Sequence, residues 1–330
     1  MLVHFRVTAP ADLARDILRR WLDDPRLIDV VHLPGAVRPS GDLLEADVAR
    51  EAASDILEQL DRAGVRERGG VAISQPLGTP STAAEDAERA ARGDPDDAVI
   101  WSLVEDEAQA ASRVTPSYLV FLLIAVALAG IAVLTDSAVL VVGAMVVGPD
   151  FSVVAAACTG AVLGRWRLAG RALWLLVWSF ALVTAVVAVA AFAALHAGAF
   201  TPEEVTRARP QTGFIWRPDI WSFVVAMLAG AAGVWAQTTD KTSAMVGVFI
   251  SVTTVPAAGN LALGVAIGSA AEIAGSASQL GLNVLGLLVA GVTTLLLQRI
   301  AWRHLDADRR ARLDRLLRPA PAHAHPWQRR

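Results

Sequence analysis

Six stretches of this chain are long, apolar and almost free of charge: residues 117–134, 138–163, 173–195, 220–236, 243–267 and 280–297. A helix needs about 20 mostly apolar residues to cross the hydrocarbon of a bilayer. Lipid offers no hydrogen-bond partners, so a chain crossing it must satisfy its backbone internally, and helices do so. The six stretches therefore predict six spanning helices. Asp150 is the one charge inside any of them, and Trp174, Trp178, Trp216, Trp221 and Trp235 fall near their ends, where indoles settle at membrane interfaces.

The rest of the chain is of another kind. Residues 1–113 hold 13 basic and 22 acidic side chains, and the remainder of the 330 residues holds 16 and 10. Opposite charge and different polarity predict two environments. We read a cytoplasmic domain over 1–78, a linker with an amphipathic juxtamembrane helix over 79–116, a six-span domain over 117–298 and a basic tail over 299–330.

The front domain carries two alternating periods. Leu2 to Val7, Leu27 to Leu33, Leu43 to Val48 and Gly70 to Gln75 read as strands. Ala11 to Leu22 and Ala52 to Ala63 repeat apolar residues at helical spacing, and Gly64 is placed to close the second helix. The order β-α-β-β-α-β predicts an α+β, ferredoxin-like fold. Thr79 to Asp97 reads as a linker rich in Ala and Glu, and Val99 to Ala111 as an amphipathic helix before the first span.

Orientation follows from arginine. Nine arginines lie between Arg299 and Arg330, and Arg165, Arg167 and Arg171 follow the second span. Both groups are cytoplasmic if both termini are, as six spans require. Arg207, Arg209 and Arg217 oppose Glu203, Glu204 and Asp219, so the loop after the third span reads as nearly neutral.

Two spans are interrupted. The second contains Gly148-Pro149-Asp150 after Met145, and the fifth contains Thr253, Thr254, Pro256 and Asn260. Proline lacks a backbone donor and clashes with the preceding turn, so each span reads as two half-helices. They occupy matching places in a faint repeat. Leu128-Ala129-Gly130 recurs as Leu228-Ala229-Gly230 and Ala144-Met145-Val146 as Ala244-Met245-Val246, at an offset of 100; Thr135-Asp136 recurs as Thr239-Asp240, and Gly160 and Gly164 as Gly264 and Gly268, at 104. Units of three spans must be inverted relative to each other, and paired broken helices point to a midplane site. Met145, Gly148, Pro149, Asp150, Thr253, Thr254, Pro256 and Asn260 are the candidate solute- or ion-binding residues.

Leu140-Val141-Val142-Gly143-Ala144-Met145-Val146-Val147-Gly148-Pro149 resembles the signature of the DUF389 family. The order of a small αβ domain, a linker and six spans is similar too. The resemblance implies a multi-pass protein of the bacterial inner membrane and brings no activity with it.

A membrane transporter or channel for a small solute or ion, regulated by the front domain, is the function expected. A non-transporting membrane-anchored sensor or assembly scaffold is the alternative. No nucleophile elbow, metal-ligand cluster or phosphate loop is present, so an enzyme, a cofactor and a metal site are not expected. Besides the bilayer, the expected partners are anionic lipid at the basic tail and further copies of the chain; nucleic acid is not among them. Asp136 and Asp240 read as helix N-caps, and Glu272 with Ser276 to Gln279 as an outside loop. Cys158, the one cysteine, reads as a small buried hydrophobe.

Overall fold

The computed structural model describes residues 1–76, 78–91, 99–239, 248 and 253–317, with backbone alone over 302–317. Strand β1 (Leu2–Ala9) buries Val3, Phe5 and Val7 on one face. Helix α1 (Ala11–Leu22) buries Leu13, Ala14, Ile17 and Trp21 along one stripe, with Asp12 in its first turn and Arg19 and Arg20 in its last, as the helix dipole favours. Strands β2 (Leu27–Ala36) and β3 (Gly41–Ala49), helices α2 (Arg50–Arg62) and α3 (Val65–Arg68) and strand β4 (Gly70–Ser74) complete the unit. The sheet is antiparallel in the order β2-β3-β1-β4, and both helices cover the core built on Phe5, Leu44, Ile56 and Leu60. Gly64 follows the α2 C-cap at φ +79, a conformation that spares glycine the Cβ clash.

The segment read as a linker holds a helix, α4 (Thr82–Ala90). Ser81 caps it by accepting from the Ala84 amide, and Ala84 and Ala87 bury against Leu2 and Ala49. Its apolar face is alanine only, too slight for a pattern search to register. Helix α5 (Trp101–Ala111) then buries Val104 and Ala108.

Eight more α-helices follow among the described elements: α6 (Pro116–Leu134), α7 (Ala138–Val147), α8 (Asp150–Val162), α9 (Trp166–His196), α10 (Pro202–Thr206), α11 (Ile220–Thr238), α12 (Thr254–Ile267) and α13 (Ala270–Leu317). Four are long and apolar enough to cross a membrane: α6, α9, α11 and α13 as far as Ala301. Helices α7 and α8 pass the same test together and meet at a bend of 50°. Helix α12 is apolar but short, and most of the fifth stretch before it, 243–247 and 249–252, lies outside the described residues.

Contacts sort the helix ends into two groups. At one end Arg165 pairs with Glu105, Arg171 donates to the Ser112 carbonyl, Arg299 to the Val162 carbonyl, and Thr238 bonds Gln298. At the other, Arg207 donates to the Leu134 carbonyl and Asp136 accepts from Gln211 and Thr212. Asp136 is therefore not the expected N-cap. Ser137 caps α7, while Asp136 stands in the left-handed region at φ 48 and its carboxylate ties down the loop after α9. Asp240, its counterpart, lies outside the described residues.

Outward faces carry Phe121, Ile124, Val177, Val189 and Leu228, all exposed, whereas inner faces use small residues. A Cβ on Gly259 would lie 2.6 Å from the Ala129 Cβ and 2.8 Å from the Gly130 nitrogen, so α12 and α6 touch almost backbone to backbone. Cys158 is fully buried, facing Gly291 at 2.7 Å from where its Cβ would be. Gly281, by contrast, has nothing within 4 Å of such an atom. Gly259→Ala is expected to destabilise by about 1–3 kcal/mol through overpacking. Gly281→Ala should be neutral or gain about 0.5–1 kcal/mol from helix preference. Thermal unfolding in detergent checks both, and equal behaviour of the two variants would contradict the close α6–α12 contact.

Candidate functional site

Helix α13 is apolar as far as Ala301, yet one of its faces there is not. Glu272, Ser276, Gln279 and Asn283 recur four, three and four residues apart, so the 3.6-residue period stacks them in one row. All four are buried, at 2% exposure or less, against α12. A polar row inside an apolar bundle persists only if its groups are paired.

The pairing starts at the end that holds Asp136. Arg209, on the loop after α10, reaches in and donates through Nη2 to both Glu272 carboxylate oxygens at 2.9 Å. Its Nη1 donates to the Asn260 Oδ1 at 2.6 Å. The Asn260 Nδ2 in turn donates to Glu272 and to the Ser276 hydroxyl, both at 2.7 Å. The two charged side chains are 1% and 3% exposed, and Trp216 lies against the guanidinium, 5.9 Å from centroid to Cζ. Glu272, Ser276 and Gln279 thus lie on the buried face of a helix rather than in an outside loop, and Ala277 and Ser278 are on its exposed side. The low mean hydropathy of 270–279 comes from a polar row and not from solvent.

One turn further along the row, Thr253 accepts from Gln279 at 3.1 Å and from Asn283 at 2.7 Å. The next residue, Thr254, donates to the Asp150 carboxylate at 2.5 Å. Asp150 and Thr254 are the first residues of α8 and α12, so two helix N-termini meet here in the interior. Neither N-cap, Pro149 nor Thr253, makes a side-chain capping bond. The free amides of a helix's first turn carry positive potential, and the Asp150 carboxylate lies in the first turn of α8 and touches the first residue of α12.

The local sequence explains the meeting. Pro149 cannot continue α7, and Gly148 ends it with its amide on the Ala144 carbonyl. A Cβ on Gly148 would lie 2.7 Å from Val255 and 3.0 Å from the Asp150 carboxylate, so only glycine lets α12 begin this close. Pro256 is the third residue of α12, where a missing N–H costs no helical hydrogen bond; residues 249–252, where the expected break would continue, lie outside the described residues. Met145 stands apart, packed with Val141, Ala257 and Leu263.

The eight expected residues thus divide. Asp150 and Thr254 touch, Thr253 joins them through the row on α13, Gly148 makes the room, Pro149 and Pro256 stand at the starts of α8 and α12, Asn260 belongs to the arginine cluster, and Met145 lies outside. Arg209, Glu272, Ser276, Gln279 and Asn283 were not among them. Two buried polar atoms, Arg209 Nε and Gln279 Oε1, have no partner among the described residues. Such atoms cost about 1–3 kcal/mol each when left unbonded.

The model of DUF389, described as a domain of unknown function, matches residues 145–289, which bears out the resemblance to that family. The match takes in α8, α12, Arg209 and the polar row as far as Asn283. No curated protein and no solved structure matches the chain.

Proposed function

We propose that this DUF389 chain crosses a bacterial inner membrane six times, as two inverted halves, and moves a small solute or ion past Asp150. The observation that carries the reading is the buried hydrogen bond between the first residues of two half-helices, Asp150 and Thr254, which stand 104 residues apart. The same interval separates the starts of α6 and α11, Pro116 and Ile220, and their ends, Leu134 and Thr238. It separates Trp166 from Ala270, where α9 and α13 begin, and Gly164 from Gly268, both left-handed at φ +72 and +71. Matching positions that touch in the interior are what a two-fold axis in the membrane plane would produce.

Three crossings per half invert the second copy. The α5 end of the bundle is then cytoplasmic, because Arg165, Arg167, Arg171 and Arg299 gather there. Helix α5 packs on α8, the half-helix that Asp150 begins, and so joins the front domain to the site. With Arg209 and Glu272 neutralising each other, Asp150 is, among the described residues, the carboxylate of the seam that has no cation beside it, which favours a proton or a small cation over an anion.

Reconstituted vesicles loaded with a pH-sensitive dye test this. An imposed pH gradient should collapse faster with the protein than in protein-free vesicles, with sodium or potassium outside. Vesicles as tight as protein-free ones to protons, to both cations and to a panel of small neutral solutes would sink the transport reading.

A further inference from the structure

Where α5 leads into α6, the chain passes the turn between α8 and α9, and the two segments enclose a cavity of about 630 Å³. Arg113, Arg165, Arg167 and Arg171 line it against a single carboxylate, Glu105. Arg165 spends its charge on Glu105 at 3.1 Å, and Arg171 donates through Nε to the Ser112 carbonyl at 3.0 Å. The side chains of Arg113 and Arg167 have no hydrogen bond or ion pair among the described residues, and both residues are exposed. The cavity therefore holds a surplus of three positive charges, two of them unengaged. Helix α9 adds to this, because its N-cap Arg165 makes no side-chain capping bond and leaves first-turn amides open at the same place.

The position narrows the ligand. Pro116 begins α6 and Trp166 begins α9, and both helices turn apolar within two turns of the cavity. Trp166 is 73% exposed beside the arginines, an amphipathic ring at the level where head groups meet acyl chains. An arginine fork matches phosphate oxygens two at a time, and basic pockets between spans on the cytoplasmic side suit phospholipid head groups. We propose that this cavity binds the phosphodiester of an anionic phospholipid, with Arg113 and Arg167 as its charge partners and Trp166 beside the glycerol. The proposal rests on the membrane reading above but not on transport. Its residues are distinct from the basic tail over 299–330.

Native mass spectrometry of the full chain in neutral detergent, titrated separately with phosphatidylglycerol, phosphatidylcholine and inorganic phosphate, tests it. Phosphatidylglycerol should bind at least about tenfold more tightly than phosphatidylcholine, and each arginine removed should cost about fivefold. Arg113→Gln with Arg167→Gln should thus lose about 25-fold, and Arg167→Gln alone serves if the pair impairs folding. Arg113→Lys with Arg167→Lys should recover most of the affinity. Wild-type affinity in the glutamine variants would overturn the site, since the lipid would then be held elsewhere. Inorganic phosphate binding as tightly as the lipid would overturn the lipid as its source. No gradient is applied, so a chain that moves nothing still shows this binding, whereas flux without lipid selectivity removes this proposal alone.

Discussion

Arg209→Met should destabilise the protein by about 3–5 kcal/mol, the usual loss when one partner of a buried ion pair is removed. The substitution leaves Glu272 charged, 3% exposed and dependent on Asn260 alone. It also frees the loop that Arg209 pins between α12 and α13. Arg209→Met combined with Glu272→Leu should recover most of that loss, because apolar side chains of similar volume often replace a buried pair without penalty. Thermal unfolding midpoints in one detergent, arranged as a double-mutant cycle, measure the coupling. If Arg209→Met unfolds at the wild-type temperature, Arg209 does not hold that end of the bundle closed.

Asp150→Asn should remove pH-dependent flux altogether while leaving the fold intact. The amide still accepts the Thr254 hydrogen bond through its oxygen and fills the same space, but it carries no exchangeable charge. Thr254→Val provides the contrast. It keeps the carboxylate and deletes a hydrogen bond to a charged group, at a cost of about 1.5–3 kcal/mol, so flux should persist with its pH dependence displaced. Rates from dye-loaded vesicles across a range of pH distinguish the two variants. An Asp150→Asn protein that carries protons like the wild type at every pH would leave Asp150 a helix-start acid and nothing more.

The front domain was legible because its strands and helices announce themselves by period: Val3, Phe5 and Val7 alternate, and Leu13, Ile17 and Trp21 return every turn. The break at Gly148-Pro149 was legible for a covalent reason, since no helix runs through a proline with all its hydrogen bonds. The polar row was not. Hydropathy averages over the circumference of a helix, so Glu272, Ser276 and Gln279 diluted the start of a span into an apparent loop. Their helical spacing was the signal that would have exposed it. Arg209 was missed for another reason. Summing loop charges treats each as solvated and cancelled by its neighbours, whereas Arg209 is buried with a partner 63 residues away. Nor does a pattern show that Asp136 turns its carboxylate away from α7 to serve the loop at Gln211 and Thr212.

The burial of Cys158 beneath Gly291 has a practical consequence. Thiol reagents need an exposed sulfur, and the only native one is closed inside the bundle. The unaltered chain is therefore its own silent background for site-directed chemistry: a cysteine at Ala208, on the Arg209 loop, or at Glu58, in the front domain, would be the single reactive group in the molecule. Spin labels, dyes or crosslinkers can then report on either end of the bundle in a protein that differs from the natural one at one position.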